Sequence, residues 1–301
     1  MNILLTGASG YLGQKLIKEL LLKKNINLKT LVHHSSMNVK GCQTVYGELN
    51  DLNSLKIATA GMDAVVHLAA VTHTNNQEDY FIVNTEGTEN LLKACSQNGV
   101  KRFVYMSSRA AHPEGGSYSK SKLAAEEFVK KSKMSWIILR PSEIYGYGSS
   151  DAINKLIRWI LNQKIIPVIG DGKYSLSPVY IYDIIPAITE AIVNEELHKI
   201  TFILAGPEEI IYNTLIDRLC SQLNVKRYKI FVSPFWVDMF LRFFLLFKKD
   251  FIVRDQIPRL LCCKPSNIDL AVKYLNYKPR QLEEGLQLVL RSLNSSDLNT
   301  R

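Results

Sequence analysis

A glycine-rich turn at the start of the chain constrains the fold more than any other feature. An apolar run typical of a buried strand, Asn2–Thr6, leads directly into three glycines at spacing three, Gly7, Gly10 and Gly13. Apolar residues spaced by four then predict a helix over positions 12–21. Small residues let the backbone approach a ligand, and the helix N-terminus offers free N–H groups to a pyrophosphate. The order strand, glycine turn, helix therefore predicts a dinucleotide-binding unit.

Strand and helix signals alternate along the rest of the first half of the chain. Apolar runs predict strands at 28–32, 44–46, 64–68, 102–106 and 136–139, and amphipathic stretches predict helices at 52–59, 86–97 and 119–131. Such alternation predicts an α/β fold with a parallel sheet that is covered by helices on both faces. Because ligands of these sheets bind at the carboxyl ends of the strands, the residues after each strand should line one edge.

The second half of the chain has a different pattern, richer in helices. Helices are predicted at 152–162, 213–223, 235–247 and 282–293, while a helix at 183–193 and a strand at 201–204 return to the sheet. We therefore expect a core of residues 1–145, joined by 178–205. A smaller cap of residues 146–177 and 206–301 should cover the strand ends.

The composition excludes several classes of protein. The 37 lysines and arginines exceed the 28 aspartates and glutamates and give a net charge of +9, but they form no arginine-rich arm, so nucleic acid is not an expected partner. Five cysteines without a C-x-x-C pair argue against a disulfide scaffold. Neither cysteines nor histidines have the spacing of metal ligands, so no metal site is predicted. Without a signal peptide or a long apolar run, a cytoplasmic protein is expected.

Positions 235–247 carry the most unusual segment, FWVDMFLRFFLLF, which two lysines follow. Its 13 residues are too few to span a bilayer. One interpretation is weak contact of residues 235–249 with a membrane surface, with the lysines at the headgroups. The alternatives are a core helix of the cap or a contact within a homodimer, which is the oligomer that we expect.

One pair of side chains has the spacing needed for acid–base chemistry. Tyr118 and Lys122 are four residues apart, so on a helix they share one face. A tyrosine titrates near pH ~10 in water, but a neighbouring ammonium favours the phenolate and lowers that value. Such a tyrosine is suited to exchange a proton with an alcohol or a ketone. Ser107 and Ser108, at the end of the preceding strand, are placed to hold the reacting oxygen.

These features together resemble a known family. The matching segments are TGASGYLG at 6–13, HLAA at 67–70, NTEGTENLLKA at 84–94, KRFVYMSS at 101–108, YSKSK at 118–122 and LRPSEIYG at 139–146. They are similar, in this order, to the extended branch of the short-chain dehydrogenase/reductase superfamily, which includes nucleotide-sugar epimerases and related reductases. The resemblance implies a Rossmann-like doubly wound parallel sheet with a small, mostly helical C-terminal substrate-binding cap.

The resemblance also implies roles for individual residues. Tyr118 becomes the catalytic acid/base, Lys122 its partner, and Ser108 the serine facing the substrate oxygen, with Ser107 as the alternative. The implied cofactor-binding positions are Gly7, Ser9, Gly10, Tyr11, Leu12, Gly13, His33, Glu48, Leu49, Leu68, Ala69, Ala70, Asn84, Tyr118, Lys122, Arg140 and Pro141. The implied substrate-binding positions are Thr72, Arg109, Tyr145, Lys173 and Arg259.

Two departures from the family pattern narrow the chemistry. Enzymes of this branch that dehydrate a sugar carry an acid directly after the strand-end serine, whereas Arg109 stands here, so dehydration is disfavoured. An arginine that usually grips the substrate diphosphate is replaced by the pair Leu176 and Ser177. Lys173 or Arg259 is expected to supply the missing cation.

The expected function is that of an NAD(P)-dependent epimerase or reductase acting on a ring hydroxyl or keto group of a sugar, and a nucleotide-linked sugar is the expected substrate. The strand at 28–32 ends without the acid typical of NAD users, which favours NADP slightly and with it a reductase. The competing interpretation is a catalytically silent relative that binds a nucleotide for a structural or regulatory purpose.

Overall fold

A computed structural model describes residues 1–33, 41–148, 152–237, 239 and 254–298. The strands of the main sheet are β1 Asn2–Thr6, β2 Asn27–Val32, β3 Gln43–Tyr46, β4 Ala64–His67, β5 Arg102–Met106, β6 Ser135–Pro141 and β11 Ile200–Leu204. The short strands are β7 Ile144–Tyr145, β8 Ile165–Ile169, β9 Ser175–Leu176, β10 Val179–Tyr180, β12 Ile210–Ile211 and β13 Tyr228–Val232. The helices of the first half are α1 Tyr11–Leu20, α2 Leu52–Thr59, α3 Gln77–Asp79, a π-helix Tyr80–Glu86, α4 Gly87–Gln97 and α5 Gly116–Lys131. Those of the second half are α6 Ala152–Asn162, α7 Ile181–Val193, α8 Tyr212–Gln222, α9 Gln256–Leu261, α10 Asp269–Leu275 and α11 Leu282–Leu298.

The central sheet has seven strands in the order β11-β6-β5-β4-β1-β2-β3. Every neighbouring pair is parallel. The order reverses at β1, and Thr6 pairs with both Leu31 and His67, so three strands end side by side. The predicted Rossmann-like doubly wound sheet is confirmed, and its ligand crevice is expected where the order reverses.

Helices cover both faces of this sheet. Ile3 and Leu5 of β1 pack with α1 and α7 on one face, whereas Leu4 packs with Val65, Phe103 and the helices of the other face. Both faces of the inner strands are therefore buried, which explains why these strands read as continuous apolar runs rather than as alternating ones.

Elements of the second half of the chain form a separate apolar cluster beyond the strand ends. It joins α6, α8 and the beginning of α11 around Tyr145, Leu176 and Leu286. β8 and β13, which were not predicted from sequence, form a parallel pair at the edge of this cluster. Each is only five residues long, and Pro167 within β8 weakens the strand signal because it has no N–H for a ladder bond.

The apolar segment at 235–247 lies largely outside the described residues. Of its described part, Phe235 and Trp236 are exposed, at 69% and 57%. Among the described residues, no helix has the length and apolar character that crossing a membrane requires.

Candidate active site

The glycine turn lies against the loop that follows β4. Gly7 has a positive φ of 72°, and a Cβ there would stand 2.6 Å from the amide nitrogen of Ala69. A Cβ at Gly13 would collide with the backbone of Gly7 and Ala8. Both positions therefore need glycine, one for backbone conformation and contact and the other for contact between α1 and the turn.

The N-terminus of α1 is open to an anion. Its N-cap residue is Gly10, no side chain caps it, and the first turn carries no acidic residue. The partial positive charge of the helix end is thus not compensated locally. The turn and helix fit the pyrophosphate of a dinucleotide, with Ser9, Tyr11 and Leu12 beside it.

A buried hydrogen-bond network fixes the end of β4 next to this turn. His67 Nδ1 is 2.6 Å from Thr6 Oγ1, and its Nε2 is 3.0 Å from Thr88 Oγ1. Thr6 Oγ1 also accepts a bond from Ala69 N at 3.2 Å. Burial, helped by the charge of Lys122, lowers the pKa of His67 to about 3. The imidazole is therefore neutral at physiological pH and serves to hold the strand end.

Tyr118 is buried in the first turns of α5, with 8% of its surface exposed. Its ring meets Tyr80 edge to face, with centroids 5.8 Å apart, and the Ser108 hydroxyl lies close enough to the phenol to affect its pKa. Burial raises the pKa of the phenol, while the charge of Arg259 and the hydroxyl of Ser108 lower it in part. Of the two serines proposed from sequence, the structure brings Ser108 to the phenol.

Lys122 lies one turn further along α5 and is also buried. Its Nζ donates to the carbonyl of Met106 at 2.7 Å and lies 4.2 Å from the centroid of the Tyr105 ring. Burial lowers its pKa to about 7, although the nearby Glu126 carboxylate opposes this shift. The side chain can thus change its protonation near neutral pH.

Glu126 holds the other strand-end serine. Ser107 Oγ donates to it at 2.5 Å, and Arg140 forms a two-pronged bond with it at 2.8 and 2.6 Å. The carboxylate is fully buried. The Arg140 side chain is therefore directed at α5, and Pro141 remains at the end of β6. Glu126 was not among the residues predicted from sequence, although its place four residues after Lys122 puts it on the same helix face.

The π-helix links the loop after β4 to α5 through Asn84. The Asn84 amide accepts from Val71 N at 2.8 Å and donates to Val71 O at 2.9 Å and to Ser121 Oγ at 3.1 Å. These contacts also fix the path of the chain after Leu68, Ala69 and Ala70. π-Helices are rare in proteins, but those that occur are frequently at functional sites. No sequence signal predicted this one.

At the far end of the crevice, the side chains after β2 and β3 meet. His33 Nε2 and Glu48 Oε1 are 2.9 Å apart, and each side chain is 55% exposed. Leu49 packs under Gly87, where a Cβ would lie 2.8 Å from the leucine Cβ. A carboxylate is therefore present beside the end of β2, although β2 itself does not supply it.

The predicted substrate residues divide into two groups. The Arg109 guanidinium is buried and bonds to Glu143 and Ser177, at 3.0 Å to Glu143 Oε2. Tyr145 is buried in the apolar cluster of the second half, where its hydroxyl donates to the carbonyl of Leu282 at 3.4 Å. Neither side chain faces open space, so both hold the surrounding structure in position.

The other three predicted residues are more accessible. Lys173 is 77% exposed and lies 3.9 Å from Asp171. Arg259 donates to the carbonyl of Thr72 at 3.2 Å and to Asp255 Oδ2 at 2.9 Å, and its guanidinium lies over the Tyr118 ring. The structure thus brings Arg259 to the tyrosine, with the carbonyl of Thr72 beside its guanidinium, and leaves Lys173 at the surface.

Asp255 and Glu143 are site residues that the sequence analysis missed. Asp255 accepts bonds from the amides of Ser117 and Tyr118 at the first turn of α5. It lies more than 130 residues from them in the chain, so no local pattern could indicate it. Glu143 is the partly buried partner of Arg109, and its pKa is lowered because Arg109 and Lys264 outweigh the effect of burial. Among the described residues, no group of acidic, cysteine or histidine side chains could hold a metal ion.

Comparison with known proteins places this geometry in a family. UDP-glucose 4-epimerase of Vibrio cholerae is 27% identical in an alignment of 313 positions, which covers 95% of this chain and 93% of that protein. N-acetyl-alpha-D-glucosaminyl-diphospho-ditrans,octacis-undecaprenol 4-epimerase of Escherichia coli O157:H7 is 29% identical over 248 residues, 75% of this chain and 73% of that protein. The solved structure of MoeE5 in complex with UDP-glucose and NAD has the same fold, with a TM-score of 0.78 at 21% identity over 98% of this chain and 99% of that chain. The pattern of the NAD-dependent epimerase/dehydratase family matches residues 3–205, more than half of the chain, and the chain therefore belongs to this family.

Proposed function

We propose that this protein oxidises a ring hydroxyl of a nucleotide-linked sugar to a ketone and reduces the ketone again, the chemistry of a sugar epimerase. The observation that carries the proposal is the buried phenol of Tyr118, which lies beside Ser108 at the carboxyl edge of the sheet. A reductase, which would use the reducing half of the same chemistry, is the nearest variant.

A nicotinamide dinucleotide would be held by residues of the crevice. Gly7, Gly10 and Gly13 leave room for the pyrophosphate at the N-terminus of α1, and Glu48 and Leu49 lie where the adenine half would reach. The cofactor, when bound, supplies the acceptor and donor of the hydride.

The residues around Tyr118 move the proton. During oxidation the phenolate of Tyr118 accepts the proton of the sugar hydroxyl, and during reduction the phenol returns it. Ser108 orients the same oxygen by a hydrogen bond. Lys122 places a protonatable amine one helical turn away, and burial keeps its pKa near the working pH. The site thus holds a proton donor in an environment from which water is largely excluded.

Dehydration is not part of the proposal. It requires an acid or base in addition to the tyrosine. The residue after Ser108 is Arg109, which is buried in its ion pair with Glu143. That ion pair occupies the carboxylate as well, so neither residue is free to remove a proton from the substrate.

We propose that the substrate lies between the core and the cap made of 146–177 and 206–301. The nucleotide-sugar relatives support this substrate class. The diphosphate would need fixed cations. Where the family pattern usually has an arginine, this chain has Leu176 and Ser177, which are buried and uncharged. The sequence predicts two candidate cations for the diphosphate, Arg259 and the exposed Lys173 near β9.

The choice between NAD and NADP depends on the end of β2. The missing acid there favours tolerance of a 2′-phosphate, and on that basis we propose that NADPH binds. The Glu48 carboxylate beside His33 works against this preference, because it would repel an added phosphate. Replacing it should therefore raise the affinity for NADPH relative to NADH.

We also propose that the protein is a homodimer and that residues 235–249 make weak contact with a membrane surface. The exposed rings of Phe235 and Trp236 support the second proposal. The Escherichia coli relative acts, by its name, on a sugar carried by an undecaprenol diphosphate, a lipid. A lipid-linked sugar is therefore a second substrate carrier to test.

A panel of nucleotide sugars and of polyprenyl-diphosphate sugars, each with NAD(H) and NADP(H), tests the proposed function. We expect conversion of a UDP-sugar into its ring epimer without net consumption of cofactor, with products identified by nuclear magnetic resonance. Stoichiometric consumption of NADPH would indicate a reductase, and loss of water would indicate a dehydratase. Binding of neither dinucleotide, measured by nicotinamide fluorescence, would contradict both the proposal and the silent nucleotide-binding alternative.

A further inference from the structure

The cation that faces Tyr118 most closely comes from the cap rather than from α5. The Arg259 guanidinium carbon lies 3.7 Å from the centroid of the Tyr118 ring. Two acceptors hold it there, Asp255 Oδ2 at 2.9 Å and the carbonyl of Thr72 at 3.2 Å. Its side chain is 17% exposed. Arg259 is therefore a positioned and mostly desolvated charge on the face of the phenol.

Lys122, the cation of the Tyr-x-x-x-Lys pair, is directed elsewhere in this structure. Its Nζ bonds to the carbonyl of Met106 at 2.7 Å and lies over the Tyr105 ring. Its pKa is lowered to about 7, so part of the population is uncharged at neutral pH. An arginine stays charged throughout the working range and presents a flat surface to an aromatic ring.

Asp255 connects the arginine to the helix that carries the tyrosine. It accepts the amide of Ser117 at 2.5 Å and that of Tyr118 at 3.2 Å, so it satisfies two N–H groups at the start of α5. A Cβ at Gly116 would stand 2.6 Å from Asp255 Oδ1, so glycine permits this approach. One carboxylate thus orders both the beginning of the catalytic helix and the guanidinium over the phenol.

We propose, on the basis of the proposed function, that Arg259 is a positioning residue. Its guanidinium holds the phenol ring of Tyr118 and stabilises the phenolate. It acts through the ring and touches no reacting atom in this role. This differs from gripping a substrate diphosphate, which would require the guanidinium to leave Asp255 and the ring.

Other groups around the phenol also affect its charge. Among the described residues, the titratable and charged side chains that act on Tyr118 or Arg259 are Asp255, Tyr80, Tyr105 and His73. Lys122, one helical turn along α5, contacts Met106 and the Tyr105 ring instead. Burial raises the pKa of Tyr118, Arg259 is the largest opposing influence, and the nearby Asp255 weakens the effect of the arginine. Removal of the Arg259 charge should therefore raise the pKa of Tyr118, because the weaker influence of Ser108 alone would remain against burial and Asp255.

Titration of the phenolate in the ligand-free protein tests the proposal without any substrate. The ultraviolet absorbance change with pH is measured for the parent and for Arg259→Gln, and each is corrected with its own Tyr118→Phe variant. We expect the Tyr118 midpoint to rise by about one pH unit in Arg259→Gln. Arg259→Lys, which keeps the charge but loses the flat contact, should restore part of the shift. Arg218→Gln, at a surface ion pair of the cap, is the matched control and should leave the midpoint unchanged.

Kinetics with a substrate that the protein converts supply the second measurement. The alkaline shift should appear in the pH profile of kcat for oxidation, with KM changed less than kcat. A raised KM with an unshifted profile and an unshifted phenolate midpoint would overturn the proposal in favour of a diphosphate grip. If no substrate is converted, the proposed function fails while the phenolate titration still decides the role of Arg259. If Arg259→Gln does not fold, the comparison of parent with Arg259→Lys still decides it, because an identical midpoint in the two, with unchanged pH profiles, contradicts the stacking role.

Discussion

At the scale of single residues, the site combines two basic side chains, His67 and Lys122, whose pKa values are lowered by burial. His67 donates and accepts within a closed network of threonine hydroxyls, and burial lowers its pKa to about 3. Lys122, with a pKa of about 7, lies close enough to affect His67 electrostatically. A charged imidazole would be a second cation beside Lys122 and would repel its ammonium form. Because His67 is neutral, Lys122 can take up a proton without this repulsion.

The lowered pKa of His67 makes stability depend on pH. Its pKa is about 6.5 in the unfolded chain and about 3 in the folded protein, so the unfolded state binds more protons between these values. The stabilisation is complete above pH ~6.5 and declines as the pH falls towards the folded value. Between pH ~7.5 and ~5, we expect this residue alone to lower the free energy of unfolding by about 2 kcal/mol.

Urea unfolding at these two pH values measures the effect. His67→Gln should show a decline smaller by about that amount, although the variant is less stable at both pH values. His198→Gln, at an exposed histidine, serves as the control and should decline like the parent. Equal declines in His67→Gln and the parent would mean that the imidazole is not the group responsible.

At the scale of elements, the π-helix Tyr80–Glu86 is the piece that joins the cofactor side of the site to the catalytic helix. Its wider turn places Asn84 with its amide between the loop at Val71 and Ser121 of α5. Thr85 adds a bond to the carbonyl of Ser121 at 3.0 Å. The loop after β4 and α5 are thus held at a fixed spacing by an element that a regular helix would not provide.

Asn84→Ala removes three of these hydrogen bonds at once. Because the backbone groups of Val71 are left without their partner in a mostly buried place, we expect a loss of about 2–4 kcal/mol in the free energy of unfolding. Nicotinamide binding should weaken as well, since the loop at Leu68–Ala70 loses its support. Asn90→Ala, which removes one bond to the carbonyl of Leu49, is the control and should cost about 1 kcal/mol. A cost at Asn84 no larger than that at Asn90 would contradict this role.

At the scale of the whole molecule, the surroundings of Tyr118 are assembled from distant parts of the chain. The glycine turn comes from the first residues, Ser108 from the end of β5, and Arg259 from the second half. The sheet brings the first two together because parallel strands end at one edge. The third arrives through Asp255, whose bonds to α5 connect the second half of the chain to the catalytic helix.

This arrangement explains which parts could be predicted from sequence. The strands of the sheet and α1, α2, α4 and α5 were predicted to within a few residues, because a parallel sheet buried on both faces leaves continuous apolar runs. The pair Tyr118 and Lys122 could be proposed because residues four apart share a helix face, whereas the preference for Ser108 over Ser107 followed from the family resemblance. Glu143, Asp255 and the stacking of Arg259 were not, since each depends on contacts between residues far apart in the chain. Pairing of β8 with β13 and the π-helix likewise depend on packing rather than on local preference.

The most direct test of the central claim is the turnover of Tyr118→Phe with a substrate that the parent converts, compared with Tyr228→Phe at an exposed tyrosine of β13. The proton relay requires only the hydroxyl, so we predict a fall in kcat of about 10²- to 10⁴-fold for Tyr118→Phe, with dinucleotide affinity changed little and Tyr228→Phe matching the parent. Undiminished turnover by Tyr118→Phe, in a protein that unfolds at the parent's temperature, would contradict the account.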